Sequence, residues 1–75
     1  MLDFALPSRT PVTLRIYDLL GQPVVTLVNG ILDAGRHTAV WDGRDEAGRP
    51  MASGLYSCRL QAGERVQMRT LMRLR

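Results

Sequence analysis

The residue types that support nucleophilic catalysis or zinc binding are scarce in this sequence. It contains one cysteine, Cys58, and one histidine, His37, and the two fall on different predicted strands. A catalytic thiol needs a base and a further group that orients the base, and no such third partner stands near either residue. We therefore expect no enzymatic activity, a buried apolar role for Cys58, and a core or rim position for His37.

Acidic residues gather in a loop rich in Gly and Asp, residues 42–54, where Asp42, Asp45 and Glu46 lie close together. Hard carboxylate oxygens on such a loop suit calcium. The spacing differs from that of the helix-loop-helix calcium motif, which places acids at alternate positions before a Gly and a distant Glu. We expect instead that Asp42 and Asp45 accept hydrogen bonds from backbone amides and cap turns, with Glu46 in solvent. Neither a metal nor a cofactor is predicted.

Basic residues gather at the other end of the sequence. Residues 59–75 carry five arginines and a single acid, Glu64, whereas the whole chain has a net charge of +3. Arg69, Arg73 and Arg75 stand at alternate positions, on one face of a predicted strand, and the planar guanidinium suits carboxylates and phosphates. We predict that these three arginines bind a partner; the alternative is a solvated strand face. Nucleic acid is disfavoured because the chain has few aromatic residues to stack on bases.

The elements that would hold these groups are strands. Apolar and polar residues alternate with a period of two, as in Val12, Leu14 and Ile16, which is typical of a half-buried strand. The predicted strands cover residues 2–6, 12–17, 23–28, 36–41, 55–61 and 66–75, and turns are predicted at 7–11, 18–22, 29–30, 33–35 and 62–63. Trp41 is placed in the core. The pattern predicts an all-β fold, a small immunoglobulin-like antiparallel β-sandwich of about six to seven strands.

Composition limits the remaining classes. A length of 75 residues allows one domain, which we place over residues 1–75. With 45% hydrophobic and 23% charged residues the chain is typical of a globular domain, and no apolar stretch is long enough to span a bilayer. One cysteine excludes an internal disulfide. The start of the sequence, residues 1–4, has an acid where a secretory signal has basic residues, so an exported protein would carry its signal elsewhere.

Several segments resemble known families. Residues 12–21, Val-Thr-Leu-Arg-Ile-Tyr-Asp-Leu-Leu-Gly, and residues 24–27, Val-Val-Thr-Leu, resemble the opening of the C-terminal sorting domains of the bacterial type IX secretion system (type A). The segments Ala34 to His37, Trp41 to Asp45, Gly48 to Pro50 and Ser53 to Tyr56 resemble both those domains and the immunoglobulin-like domain of flagellar hook-capping proteins. The basic last strand is similar to the one that ends sorting domains.

The resemblance implies a non-catalytic domain at the C-terminal part of a larger secreted protein. It would direct its parent cargo through the periplasm to the cell surface or the medium, in contact with the outer-membrane secretion machinery and with a surface sortase-like peptidase. Its structural motif would comprise Trp41, Asp42, Gly43, Asp45, Gly48, Gly54 and Tyr56. The alternative is a structural immunoglobulin-like module, of a surface enzyme or of hook-cap type, that makes protein–protein contacts. Exposed strand edges would also permit a homo-oligomer.

Overall fold

Six antiparallel strands form two sheets in the computed structural model of the protein, which describes residues 2–74. They are β1 (Leu2–Leu6), β2 (Thr10–Tyr17), β3 (Pro23–Leu32), β4 (Gly35–Ala39), β5 (Gly54–Ala62) and β6 (Arg65–Arg73). One sheet has the order β3-β2-β5-β6, and the other pairs β1 with β4. This arrangement confirms the predicted small immunoglobulin-like β-sandwich.

The core lies between the two sheets and follows the alternation in the sequence. In β2 the side chains of Val12, Leu14 and Ile16 are 1%, 2% and 0% exposed, while the residues between them face away. The other buried core residues are Leu2, Phe4, Leu6, Val24, Ala39, Tyr56 and Cys58. Each fully buried Val, Leu or Ile contributes about 1.5–3 kcal/mol by leaving water, so the six strands are held chiefly by this layer.

The predicted turn at Asn29-Gly30 is wrong. β3 continues through both residues to Leu32, because β2 supplies partners for them: Thr13 lies opposite Asn29 and Val12 opposite Gly30. The chain reverses only at residues 33–35, where a turn was also predicted and where Gly35 has a φ of 124°. An Asn-Gly pair is a local preference for a turn, and the longer ladder with β2 outweighs it.

Two irregularities in the β2–β3 ladder shape the core. The register shifts between Leu14 and Arg15 and again between Ile16 and Tyr17, so that β3 carries an extra residue at each point. β-bulges of this kind bend a strand and re-aim its side chains. As a result, β3 contributes residues from both of its faces to the core or to the layer packed against it. These residues are Val24, Val25, Leu27 and Val28.

The predicted fourth strand also differs from the observed one. β4 ends at Ala39, opposite Leu2, and Trp41 lies beyond the strand. Its ring is half-buried and packs against the core from the loop, so it does not belong to the fully buried set. Trp41 instead donates a hydrogen bond from its ring to the carbonyl of Arg44, which holds it in the loop. None of the residues 2–74 belongs to a helix that could cross a bilayer.

Candidate functional site

Asp45 organises the loop that connects β4 to β5, residues 40–53. Its Oδ1 accepts hydrogen bonds from the backbone amides of Ala47 and Arg49, at 3.0 and 2.9 Å, and its Oδ2 accepts one from Arg49 Nε at 3.1 Å. The amide of Gly48 donates to the carbonyl of Asp45 at 2.9 Å, closing a turn. The Asp45 side chain is 16% exposed. Asp45 therefore caps a turn, as predicted, with an acceptor set typical of an anionic cap.

These contacts favour the ionised carboxylate. The hydrogen bond from the backbone amide of Arg49 is the main cause that lowers the pKa of Asp45, and the charge of Arg49 and the amide of Ala47 act in the same direction. Partial desolvation of the carboxylate opposes them. Asp45 is therefore held as an anion by its own loop. Among residues 2–74 no group of three or more acidic, His or Cys side chains is placed to hold a metal.

Trp41 and Tyr56 fasten the two ends of this loop. Trp41 Nε1 donates to the carbonyl of Arg44 at 2.9 Å, and the amide of Arg44 donates to Asp42 Oδ1 at 3.1 Å. Tyr56 Oη donates to the carbonyl of Ala52 at 2.7 Å. The two rings meet edge to face, with centroids 5.0 Å apart and planes at 70°. The polar atoms of the buried Tyr56 and the half-buried Trp41 are thus hydrogen-bonded to backbone groups of the loop, and the two rings position the loop against the core.

Gly43 joins the loop to the last strand. Its φ is 80°, a conformation that favours glycine, and a Cβ at this position would collide with the guanidinium of Arg73. Arg73 Nε donates to the carbonyl of Met51 at 3.0 Å, and the amide of Met51 donates to the carbonyl of Gly43 at 2.8 Å. Gly48 lies in the turn and Gly54 at the start of β5. All seven residues of the motif implied by the resemblance therefore lie in this loop or next to it.

The basic residues singled out in the sequence occupy different environments. Arg73 is half-buried and bonded to the loop, whereas Arg69 is exposed and donates from Nη1 to the carbonyl of Asp3 at 3.2 Å. Arg75 lies outside the described residues. Both described arginines project from β6 toward the side of the sandwich occupied by β1 and the loop. A role in binding a partner stays a prediction for these residues, while Arg73 also has a structural task.

The other row of β6 was missed as a surface feature. Val66, Met68 and Met72 point outward and are 48%, 58% and 67% exposed. The sequence contained a signal for the orientation of this row. A two-residue turn at Gly63 determines which residue of β5 lies opposite each residue of β6. The partners of the buried residues Tyr56 and Cys58 are then Leu71 and Arg69, so the odd-numbered row of β6 faces inward and the apolar even-numbered row faces solvent.

A second apolar feature stands at one end of the four-stranded sheet. Leu55 is 42% exposed and lies opposite Met72 on the outer face, and beside it the β2–β3 turn carries Leu19 and Leu20, which are 75% and 85% exposed. We call these four residues the apolar end. The turn itself is ordered, because Asp18 Oδ1 accepts hydrogen bonds from the amides of Leu20 and Gln22, both at 2.9 Å.

Cys58 and His37 do not form a catalytic pair. The Cys58 thiol is buried, and burial raises its pKa while the charge of Arg69 opposes that rise. His37 is half-buried at the rim, stacks on Phe4 with centroids 5.5 Å apart, and donates from Nε2 to the carbonyl of Asp33 at 2.8 Å. Each side chain is therefore used in packing or in a backbone contact, as predicted.

The fold and this loop define the chain as a small immunoglobulin-like module. The family model of the FlgD Ig-like domain matches residues 2–65, and the chain therefore belongs to that family. The matched span covers β1 to β5 and ends at Arg65, the first residue of β6. No curated protein and no solved structure matches the chain significantly.

Proposed function

We propose that this protein is a non-catalytic immunoglobulin-like module of hook-cap type that makes protein–protein contacts for a larger assembly. Its membership of the FlgD Ig-like domain family supports a structural role. The observation that carries the proposal is the apolar end, where Leu19, Leu20, Leu55 and Met72 are exposed beside one another. Contiguous exposed apolar side chains mark interaction surfaces, whereas apolar residues scattered singly do not.

The apolar end is supported by rigid neighbours. Leu55 and Met72 are held opposite each other in the β5–β6 ladder, and the turn with Leu19 and Leu20 is braced by Asp18. A surface that keeps its shape loses little conformational entropy when a partner covers it. In an assembly of hook-cap type, the partner is a neighbouring subunit that buries this surface.

Co-sedimentation with isolated flagellar hooks tests this function. The fluorescently labelled chain is mixed with purified hook filaments and pelleted. We expect the wild type to pellet with the hooks and a Leu55→Glu/Met72→Glu double variant to stay in the supernatant. Ile31→Glu/Val40→Glu serves as the matched control, because it adds the same two charges at exposed apolar residues, 60% and 68% exposed, that lie outside the apolar end.

Equal binding by the wild type and the double variant would refute the assignment of the surface. No binding of any folded variant to hooks would refute the hook-cap type of partner. Circular dichroism and thermal unfolding establish that each variant is folded before the binding result is interpreted. A single Glu at an exposed position is expected to change the free energy of unfolding by about 0.5 kcal/mol or less, and the two like charges opposite each other in the double variant by up to about 1 kcal/mol more.

A second candidate function is C-terminal sorting by type IX secretion, which would place the protein at the cell surface or in the medium after passage through the periplasm. The resemblance of residues 12–21 and the basic β6 strand support it. The outer-membrane machinery would contact Arg69, and a surface sortase-like peptidase would act after export. The parent cargo would be carried as a fused domain.

Reporter export distinguishes the two functions. Residues 1–75 are fused behind a periplasm-directed fluorescent protein in a bacterium with type IX secretion, with and without its translocon. Translocon-dependent export that falls with Arg69→Gln but not with Arg36→Gln would establish sorting. Retention of the folded reporter in the periplasm would exclude residues 1–75 as a sufficient sorting signal. Arg69 is the better test than Arg73, because Arg73 also holds the loop.

A further inference from the structure

The last strand has one edge without a partner in the described chain. β6 pairs with β5 along its whole length, from Ala62 opposite Arg65 to Gly54 opposite Arg73, and no described strand follows it in the sheet. The ladder has no register shift, and β6 contains no proline. Nine residues at about 3.3 Å each give a free edge roughly 30 Å long. Natural edge strands are usually short, bulged, interrupted by proline or guarded by charge, and β6 has only the charge.

The two rows of β6 differ sharply in chemistry. The inward row reads Arg65, Gln67, Arg69, Leu71, Arg73, and the outward row reads Val66, Met68, Thr70, Met72. Arginines thus recur at every fourth residue on one side, and three of the four residues on the other side are apolar. The two ion pairs of the described residues, Arg9–Asp33 and Arg49–Asp45, do not involve β6. The β6 arginines accordingly have no carboxylate partner within residues 2–74.

This charge row argues against a second copy of the same strand. An antiparallel β6–β6 pair that uses all nine residues places Arg65 opposite Arg73 and Arg69 opposite its own equivalent. Like charges directly opposite one another on neighbouring strands are destabilising. A strand with carboxylates at the matching positions would instead meet each arginine with a complementary charge, and its other row would cover the exposed methionines and valine.

We propose that the free edge of β6 binds an extended strand of a partner protein in which acidic residues four positions apart face the exposed side chains of Arg65 and Arg69. The intervening residues on the other side of that strand are apolar and pack on Val66, Met68 and Met72. Backbone hydrogen bonds to the edge supply affinity, and the two rows supply register and specificity. This inference rests on the proposed role as a protein-binding module and names the chemistry of a partner.

A designed peptide tests the edge directly. The probe is a labelled nine-residue peptide, about the length of the strand, with the sequence Glu-Val-Thr-Val-Glu-Val-Thr-Val-Glu. Because the sequence reads the same in both directions, its Glu residues lie opposite the arginines whether the peptide binds parallel or antiparallel to β6. A peptide with Lys in place of Glu is the charge control. Fluorescence anisotropy measures the dissociation constant, and amide hydrogen exchange identifies which strand gains protection.

We expect the Glu peptide to bind and to protect β6 amides that are unprotected in the free protein. Arg65→Glu/Arg69→Glu should weaken its binding by about tenfold or more and create binding of the Lys peptide. The matched control is Arg15→Glu/Arg36→Glu, which makes the same change in net charge at exposed positions on β2 and β4, neither of which pairs with β6. Raising the salt concentration should weaken the wild-type complex, because its charges lie at the surface.

Four results would overturn the proposal: no binding of the Glu peptide to the folded protein, equal loss in the two double variants, protection confined to another strand, or a dimer of the free protein with protected β6 amides. The last would show that a second copy occupies the edge. If the peptide fails while wild-type chain still pellets with hooks, the edge proposal alone is wrong. If hook binding fails as well, the proposed function falls with it.

Discussion

The guanidinium of Arg73 lies over the backbone of Gly43, in the space that a side chain at position 43 would occupy. Arg73 reaches this place from β6 and continues to the carbonyl of Met51, so one arginine connects the last strand to both sides of the loop. The contact is between groups thirty residues apart in sequence, and it makes the identity of residue 43 depend on residue 73. Stability measurements can test that dependence.

Gly43→Ala should lower the free energy of unfolding by about 2–3 kcal/mol, the sum of a left-handed backbone strain of roughly 1–2 and a displaced arginine hydrogen bond of about 1. Gly48→Ala is the control, because Gly48 has a similar φ of 82° with nothing near its absent Cβ. Its cost should be the strain alone. In an Arg73→Gln background the cost of Gly43→Ala should fall to that of Gly48→Ala, as measured by urea unfolding. Equal costs in both backgrounds would contradict the collision.

Tyr56→Phe should destabilise the fold by about 1 kcal/mol, because it removes the 2.7 Å hydrogen bond to the carbonyl of Ala52 and keeps the ring contact with Trp41. Tyr17→Phe is the matched control on β2, and we expect it to change the unfolding free energy by about 0.5 kcal/mol or less. The measurement is chemical unfolding followed by the fluorescence of the single tryptophan. A neutral Tyr56→Phe would mean that water replaces the lost contact without cost.

Asp45→Asn should make the unfolding free energy lower at neutral pH and less sensitive to acid. The backbone amide of Arg49 is the main cause that lowers the pKa of Asp45 from its ordinary 3.8. A carboxyl whose pKa is lower in the folded state stabilises the fold above its ordinary pKa and loses that effect as pH falls through the folded value. The wild type should therefore lose stability below about pH 3.8 more steeply than the variant.

Asp33→Asn serves as the comparison for Asp45→Asn. Asp33 forms an ion pair with Arg9, and the side chains of Arg9 and Asp33 are 70% and 79% exposed. Such surface ion pairs contribute about 0–1 kcal/mol to the free energy of unfolding. We expect Asp33→Asn to change the free energy of unfolding at neutral pH by no more than this amount. Two parallel acid unfolding curves for the wild type and Asp45→Asn would show that the cap is not the titrating group.

The Cys58 thiol should react slowly with a water-soluble disulfide reagent in the native protein and quickly in urea. Burial raises its pKa above the ordinary 9.0, so its contribution to stability is complete below that value and is lost as pH rises through the folded pKa. The control is a Cys58→Ala/Thr70→Cys protein, whose thiol stands on the exposed row of β6 and should react at once. Similar native rates for the two thiols would contradict the burial of Cys58.

Most of the architecture was predictable because one face of each strand is buried. Val12, Leu14 and Ile16 alternate in sequence and are buried together, and the same holds for Leu2, Phe4 and Leu6. The turn that Asp18 and Gly21 form was also predictable, since the carboxylate acts on amides within four residues of itself. Such features depend on contacts between residues that are close in the sequence, so the sequence alone predicts them.

The candidate site was predictable only in part. The capping role of Asp45 could be predicted, because its partners Ala47 and Arg49 are its neighbours in sequence. The contact of Arg73 with Gly43 and Met51 could not, because it requires the loop and β6 to be placed side by side. The resemblance named Gly43 as a motif residue, and the structure supplies the reason.

The all-β class, the inward rows of the first two strands and the turns that depend on a single Asp or Gly follow from the order of the residues alone. Two features required the folded chain: Asn29 and Gly30 continue β3, and the guanidinium of Arg73 lies over Gly43. The first depends on β2, which extends far enough to pair with Gly30, and the second on the loop and β6 lying side by side. An alternation with a period of two shows that the two faces of a strand differ in polarity, but the packing of the neighbouring sheet determines which face is buried in the core.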